Sequence, residues 1–136
     1  MSALRTIYKW WAALLFVAVI AQIGLAGYGA FNSVNKAEDQ KIISKHTLEN
    51  GWDPHVGFGY IVFLGAIVLL LLALVARLGR RWVLASLTVA LLVVLEIILA
   101  GVGGAVSSLG FLHPINALVI FAVTGLLVHR AWTAKT

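Results

Sequence analysis

The sequence contains no cysteine at any of its 136 positions. This absence excludes disulfide bonds, iron–sulfur clusters, covalent attachment of c-type haem and catalysis by a thiol. Charged residues are also scarce, at 11% of the chain, whereas hydrophobic residues make up 62%. Such a composition excludes an ordinary soluble domain, in which roughly a quarter of the residues are charged.

The hydrophobic residues fall into four segments, at about 10–30, 55–76, 82–106 and 112–128. A helix needs about 20 apolar residues to cross the hydrocarbon layer, and the fourth segment is short but within the tolerated range. The first is too long for a signal peptide. We therefore expect an all-α integral membrane protein. The expected fold is an antiparallel four-helix transmembrane bundle that forms one domain over residues 1–136, with an outer loop at 31–54.

Basic residues are distributed unevenly around these segments. Seven of them lie near the two chain ends or between the second and third segments: Arg5, Lys9, Arg77, Arg80, Arg81, Arg130 and Lys135. The loop at 31–54 carries the other three, together with four of the five acidic residues. The positive-inside rule then places both termini in the cytoplasm of the cell inner membrane. We interpret the net charge of +5 as a signal of topology and of contact with the lipid bilayer, and not of nucleic-acid binding.

The sequence also contains two similar halves. The first and third segments end in AQIGLAGYGAF and LEIILAGVGGAV, and the second and fourth begin with HVGFGYIVF and HPINALVIF. Alignment of these stretches gives four equivalent pairs: Gln22 and Glu96, Gly27 and Gly101, His55 and His113, Gly59 and Ala117. We expect two similar helical hairpins, related by a pseudo-twofold axis along the membrane normal.

Two of the four histidines begin the matched segments. In an up-down-up-down bundle the second and fourth helices are diagonal neighbours across the core. The pseudo-twofold axis then makes His55 and His113 face each other near the outer surface. We predict that they are the axial ligands of the iron of one haem b. Two imidazole ligands give a six-coordinate iron with no open position for oxygen chemistry.

Small and polar residues at the same depth complete the predicted site. Glycine lets a ligand approach the backbone closely, and Gly27, Gly59 and Gly101 lie level with the histidines. The same glycines would also suit helix–helix packing in lipid. We expect Asn116 to hydrogen-bond an imidazole or a haem propionate.

Proline residues predict where two of the helices begin. Asp53 followed by Pro54 predicts a helix start, with Asp53 as the cap and proline at the first position. Pro114, directly after His113, is expected in the first turn of the fourth helix, where its missing N–H has no partner to lose.

Two polar residues lie deeper in the hydrocarbon zone. Gln22 and Glu96 are equivalent in the repeat, and an intramembrane carboxyl is costly unless it is hydrogen-bonded. We expect the two to form a buried polar pair. That pair is either a polar clamp between the first and third helices, or a proton-accepting or quinone-facing group beneath the haem.

The remaining histidines fit the haem site less well. His46 lies in the polar loop, and His129 lies 16 positions after His113, which is about 24 Å along a helix. A second bis-histidine haem near His129 would need another histidine at that end, and the sequence has none. One haem is therefore the maximum for a monomer.

The stretches AQIGLAGYGAF, DPHVGFGY and LHPINALVIF resemble an uncharacterised family of small bacterial four-span proteins, and more distantly one half of haem A synthase. The resemblance implies that His55 and His113 are haem ligands. The chain departs from haem A synthase at Trp52 and Val56, where that enzyme has a carboxylate and an arginine, and it lacks that enzyme's paired cysteines. The resemblance therefore does not support hydroxylase chemistry.

Three functional classes follow. The first is a b-type cytochrome that passes single electrons from a quinol or a membrane dehydrogenase to an outer acceptor. The second is a cofactor-free accessory subunit of a larger membrane complex, and the third is a carrier of haem or another small molecule. Expected partners are the lipid bilayer, a quinone, a redox partner or larger complex, and a second copy of the chain in a homo-oligomer. An electron-transfer or accessory role is favoured over an enzymatic one.

Overall fold

The computed structural model describes residues 3–39 and 44–134. They form four long helices and one short 3₁₀ turn at Ser107–Leu109, and this part of the chain contains no strand. The helices are α1 (Ala3–Glu38), α2 (Lys45–Val75), α3 (Arg80–Ala105) and α4 (Leu112–Thr133). Each is long and apolar enough to cross a membrane. The predicted all-α, four-helix membrane bundle is confirmed.

The four helices form a ring in chain order. Helix α1 packs against α2 and α4, and α3 packs against the same two helices. Helices α2 and α4 are therefore diagonal, as are α1 and α3. This arrangement places the start of α2 and the start of α4 at one end of the bundle, opposite one another.

The centre of the bundle is filled by small and branched side chains, while large apolar side chains cover its outside. Fully buried residues along the axis include Ala66, Leu69, Ala73 and Val89. Exposed leucines occur on every helix, among them Leu14, Leu64, Leu91 and Leu118. A soluble bundle would carry polar residues at such positions, so this outer surface fits contact with lipid.

The end of the bundle that carries Arg77, Arg80, Arg81 and Arg130, here named the arginine end, is closed by aromatic side chains. The Tyr8 hydroxyl lies 2.9 Å from the Ser86 hydroxyl, and both residues are buried. The Tyr8 ring also contacts the edge of Trp82 at 5.9 Å between centroids. Helices α1 and α3, although diagonal, are thus joined at this end.

The turn between α2 and α3 depends on two residues with positive φ. Arg77 has φ 48° and Gly79 has φ 94°. The N–H of Leu78 bonds to the carbonyl of Ala73 and that of Arg77 to Leu74, which is the Schellman pattern for ending a helix. The left-handed position is usually glycine, so an arginine there adds backbone strain.

The helices extend beyond the predicted spans at the other end. Residues 31–38 and 45–53, expected in the outer loop, continue α1 and begin α2. Residues 40–43 of that loop lie outside the described residues. The predicted start of α2 at Pro54 is wrong, because Pro54 lies inside the helix. Its missing N–H falls in the polar first part of α2, where water can satisfy the freed carbonyl. Pro114 does lie in the first turn of α4.

The extended parts of α1 and α2 pack closely because a glycine of each helix, Gly29 and Gly51, lies at their contact. A Cβ atom on Gly29 would lie 2.8 Å from the indole of Trp52. At the matching end of α3, a Cβ on Gly103 would lie 2.8 Å from the Cα of Gly110. Gly29 and Gly103 let the next segment fold back against the helix that carries them.

Candidate functional site

A cavity of about 390 Å³ lies within the bundle near the end that carries His55 and His113, here named the histidine end. Its volume falls in the range of ligand pockets, roughly 300–1,000 Å³. Of the eight residues predicted for the site, six line this histidine cavity: Gln22, His55, Gly59, Glu96, Gly101 and His113. Gly27 and Asn116 do not line it. The remaining wall is mainly apolar and comes from all four helices.

The two predicted ligand histidines face each other across this cavity. His55 is carried by α2 and His113 by α4, the diagonal pair. Their ring centroids are 6.1 Å apart, and the ring planes are at 86°. Both histidines are half-buried, and 27% of the His113 side chain is exposed. The two imidazoles therefore lie within reach of one common ligand.

Each imidazole is held by the same kind of hydrogen bond. Nδ1 of His55 lies 3.1 Å from the backbone oxygen of Gln22, and Nδ1 of His113 lies 3.1 Å from the backbone oxygen of Glu96. A carbonyl oxygen only accepts, so in this network Nδ1 carries the proton and donates it. In the neutral form of each ring, Nε2 then keeps its lone pair, and this is the form of histidine that binds a metal.

These two bonds show that the repeat is structural. Gln22 and Glu96 are the residues that the sequence alignment pairs, and so are His55 and His113. Sequence reasoning had considered only the side chains of Gln22 and Glu96. Their backbone oxygens can serve because a helical carbonyl has a second lone pair beyond its bond to residue i+4. The repeat was the signal from which this contact could have been found.

The side chain of Glu96 bonds to α4 and not to Gln22. Its Oε1 lies 3.2 Å from Nδ1 of His113, and Asn116 donates to its Oε2 at 2.7 Å. The Asn116 amide also donates to the backbone oxygen of Leu92 at 2.9 Å. Asn116 thus anchors the carboxyl that contacts His113, and its amide donates to no imidazole within the described residues.

Gln22 plays a different part in the other half of the bundle. Its Nε2 donates to the backbone oxygen of His55 at 2.8 Å, and a Cβ on Gly59 would lie 3.1 Å from that nitrogen. Its Oε1 is buried and has no hydrogen-bond partner in the described part of the chain. A buried unpaired acceptor costs about 1–3 kcal/mol, so the histidine cavity offers this oxygen to a donor.

Trp52 lies beside the first histidine. The ring centroids of Trp52 and His55 are 5.8 Å apart with an edge contact. This indole also packs on Gly29, so it fixes the position of His55 relative to α1. The tryptophan thus provides an apolar contact to the imidazole.

The other two histidines lie outside the site. His46 and His129 are exposed, and neither lines the histidine cavity. Across residues 3–39 and 44–134, no three His, Cys, Asp or Glu side chains form a group that could hold a metal ion. A bare metal site is therefore not supported, whereas a haem needs only axial ligands from the protein because the porphyrin supplies the others.

The fold and the cavity define a class: a four-span membrane protein with a pair of facing histidines inside one end of the bundle. The chain belongs to DUF6220, a family of unknown function, whose model matches residues 22–106. That region contains Gln22, His55 and Glu96, while His113 lies beyond it. No curated protein and no solved structure matches the chain, so the resemblance to haem A synthase gains no support from these comparisons.

Proposed function

We propose that the protein is a b-type cytochrome that binds one haem b between His55 and His113 and transfers single electrons in the membrane. The observation that carries this proposal is the facing pair of imidazoles, each with Nδ1 on a carbonyl and Nε2 left as the available nitrogen. In metal sites, histidine is typically held in this way, with one ring nitrogen bonded to a carbonyl or carboxylate and the other on the metal.

The separation of the rings supports one metal atom between them. A metal atom held by both Nε2 atoms at roughly 2 Å, as in imidazole–zinc sites, would lie about 3 Å from each ring centroid. Two such distances in line come to about 6 Å, and the observed centroid separation is 6.1 Å. The angle of 86° between the ring planes would be compatible with this, because two imidazoles that hold one metal atom need not be coplanar.

The lining of the histidine cavity suits a flat apolar group. Val19, Val93 and Ile120 contribute apolar walls. A Cβ on Gly101 would meet no atom within 4 Å, so space remains beside α3. The polar atoms that line the cavity are concentrated at its imidazoles, at Gln22 and at Glu96.

The chain's own residues would orient the ligands and limit the chemistry. When bound, haem supplies one-electron chemistry, which the protein tunes through axial ligands and their hydrogen bonds. The backbone oxygens of Gln22 and Glu96 fix the ring orientation and tautomer, and the Glu96 carboxyl makes the His113 side more electron-rich. Trp52 and Val56 replace the polar pair of haem A synthase, so electron transfer is favoured over hydroxylation. By the positive-inside rule, the histidine end would lie at the outer face of the inner membrane.

One experiment tests haem binding. The protein is purified, supplied with haemin, and examined by a reduced-minus-oxidised absorption spectrum. We expect a low-spin, six-coordinate spectrum that carbon monoxide does not change, because both axial positions are occupied. A spectrum that carbon monoxide changes would indicate one-sided ligation, as in a carrier. No haem spectrum from folded protein would overturn the proposal.

A second candidate is a cofactor-free accessory subunit of a larger membrane complex. The observation that favours it is that the Nδ1 atoms and the Glu96 carboxyl are already satisfied by partners within the chain. Polar side chains also join helices in membranes without any cofactor, at about 0.6–2 kcal/mol each. For this role the chain would copurify with other membrane subunits, and the folded protein would take up no haem.

A further inference from the structure

A second cavity, of about 530 Å³, lies between α3 and α4 at the arginine end. Arg81 comes from the first turn of α3 and Arg130 from the last turn of α4, and both line it. Antiparallel packing of the two helices places these guanidinium groups at the same end. The wall further along the bundle is apolar and includes Ala85, Val123 and Leu126. This arginine cavity is therefore basic at its rim and apolar behind it.

Within residues 3–39 and 44–134, neither arginine has a carboxylate partner. Four of the five acidic residues precede Pro54 at the opposite end of the bundle, and the fifth, Glu96, belongs to the histidine site. The ion pairs found among the described residues are Lys45–Glu49 and His113–Glu96. Arg81 instead places its guanidinium 5.0 Å from the Trp82 ring. Both arginines are exposed, so their guanidinium groups are open to an anion from outside the described part of the chain.

The rest of the cavity determines what kind of anion fits. A free phosphate would use the rim alone, whereas the apolar wall requires an occupant with a hydrocarbon part. Leu126 is 55% exposed on the side of the bundle that faces lipid, so the wall is continuous with the surface that lipid chains cover. Basic pockets between transmembrane helices are known binding places for anionic lipid head groups. Arginine forms paired hydrogen bonds with phosphate oxygens.

We propose that the arginine cavity binds one anionic phospholipid. Its phosphate lies between Arg81 and Arg130, and one acyl chain lies along Val123 and Leu126. The repeat supports a specific role for these arginines. In the aligned first half, Ile7 corresponds to Arg81 and Leu72 to Arg130. The symmetric fold does not need the two charges, so they are a property of the second hairpin alone.

Retention of lipid by purified protein tests this inference, and it does not depend on haem. Protein is equilibrated with mixed micelles of detergent and either phosphatidylglycerol or phosphatidylcholine, and the bound lipid is measured by native mass spectrometry. We expect one tightly held phosphatidylglycerol per chain. The double variant Arg81→Gln/Arg130→Gln should lower its affinity about tenfold or more, since each arginine near a lipid surface contributes about 1 kcal/mol. The control Arg5→Gln/Arg77→Gln removes the same charge away from the cavity and should change the affinity less than twofold.

Two further arms separate the possible sources of the phosphate. Leu126→Trp leaves both arginines in place but fills the apolar wall, and it should also release the lipid. Inorganic phosphate at millimolar concentration should not displace it. Displacement by phosphate, or full retention in Leu126→Trp, would show a free-anion site and overturn the lipid proposal. Equal loss in the two double variants would show only general charge attraction. Thermal melting of each variant confirms that it is folded, and Arg81→Lys/Arg130→Lys, which keeps the charge, provides a folded form if the glutamine variant fails to fold.

Discussion

At the histidine end all four helices surround a cavity, whereas at the arginine end aromatic side chains close the centre of the bundle and the cavity lies between α3 and α4 alone. The polar groups of the histidine end bond to one another across helices: the imidazoles to α1 and α3, and Glu96 to Asn116. At the arginine end the helices are joined by Tyr8, Ser86 and Trp82, and the arginines have no carboxylate partner in the part of the chain that the structure describes. The histidine end therefore holds two imidazole rings in fixed positions around its cavity. At the arginine end the guanidinium groups are open to groups from outside the chain.

The difference indicates a division of tasks within a small membrane protein. Side chains locked by hydrogen bonds suit a cofactor, because their orientation is set before it binds. Long arginine side chains suit the lipid boundary, because they carry apolar stems and mobile charged heads. Helices α3 and α4 take part in both arrangements, at opposite ends.

Removal of a histidine is expected to have the largest effect. His55→Ala or His113→Ala should abolish the six-coordinate haem spectrum, since each ring would supply one of two axial nitrogens. His46→Ala and His129→Ala serve as controls, because both residues are exposed and outside the cavity. The measurement is the absorption spectrum of haemin-loaded, purified protein. If all four variants give the wild-type spectrum, the histidine pair is not the binding site.

The side of the membrane that each end faces is the next prediction. The positive-inside rule predicts that the arginine end is cytoplasmic. A cysteine introduced at Lys45 should react with an impermeant thiol reagent in intact cells, while a cysteine at Thr133 should react only after lysis. The chain has no other cysteine, so labelling is specific. The opposite result would place the histidine end in the cytoplasm.

Replacement of Glu96 compares the two halves of the histidine site. Glu96→Gln keeps the backbone bond to His113 but replaces the carboxyl beside it by an amide that cannot become an anion. We expect a six-coordinate spectrum, with a higher midpoint potential at a pH at which the carboxyl is ionised. Loss of the hydrogen bond from this position to His113 should lower the free energy of unfolding by about 1 kcal/mol, or up to about 3 kcal/mol where the carboxyl is ionised. Gln22→Leu, in the equivalent position, is the control and should change the potential less. Redox titration and thermal melting measure both quantities, and equal potentials in the two variants would contradict the asymmetry.

The packing of Trp52 against α1 is tested at Gly29. Gly29→Ala places a Cβ at 2.8 Å from the indole, and such overpacking costs about 1–3 kcal/mol. Gly24→Ala is the matched control on the same helix, because its Cβ would meet nothing within 4 Å. That variant should be stabilised by up to about 1 kcal/mol, since alanine is the better helix former. Thermal melting distinguishes the two, and equal melting temperatures would refute the contact.

The smallest effect is expected at the arginine end. Tyr8→Phe removes the 2.9 Å hydrogen bond to Ser86 but keeps the aromatic contact with Trp82. The expected loss is about 1 kcal/mol, the usual contribution of one such bond. Ser86→Ala is the partner variant, and the double variant should cost no more than either single one. Additive losses in this double-mutant cycle would show that the two hydroxyls do not interact.

The sequence predicted the helices better than the contacts of the site. Four apolar segments and two matched histidines were sufficient for the diagonal arrangement, because short connections make consecutive helices neighbours. The partner of Glu96 could not be predicted in this way. Gln22 and Glu96 are equivalent by repeat, but each side chain bonds to an adjacent helix, Gln22 to α2 and Glu96 to α4. The start of α2 was also misplaced, because a cap-and-proline pattern at Asp53 and Pro54 did not exclude a helix that begins earlier.

Composition and segment length by themselves determined that this protein spans a membrane four times, because burial of apolar surface in lipid depends on length and hydrophobicity alone. The repeat determined that His55 and His113 share one end. Only the tertiary structure decided which atoms meet. The rotation of each helix about its own axis depends on packing with its neighbours, and that rotation aims Nδ1 of each imidazole at a backbone oxygen of the adjacent helix. The same rotation turns Glu96 towards Asn116 and places Arg81 and Arg130 around one cavity.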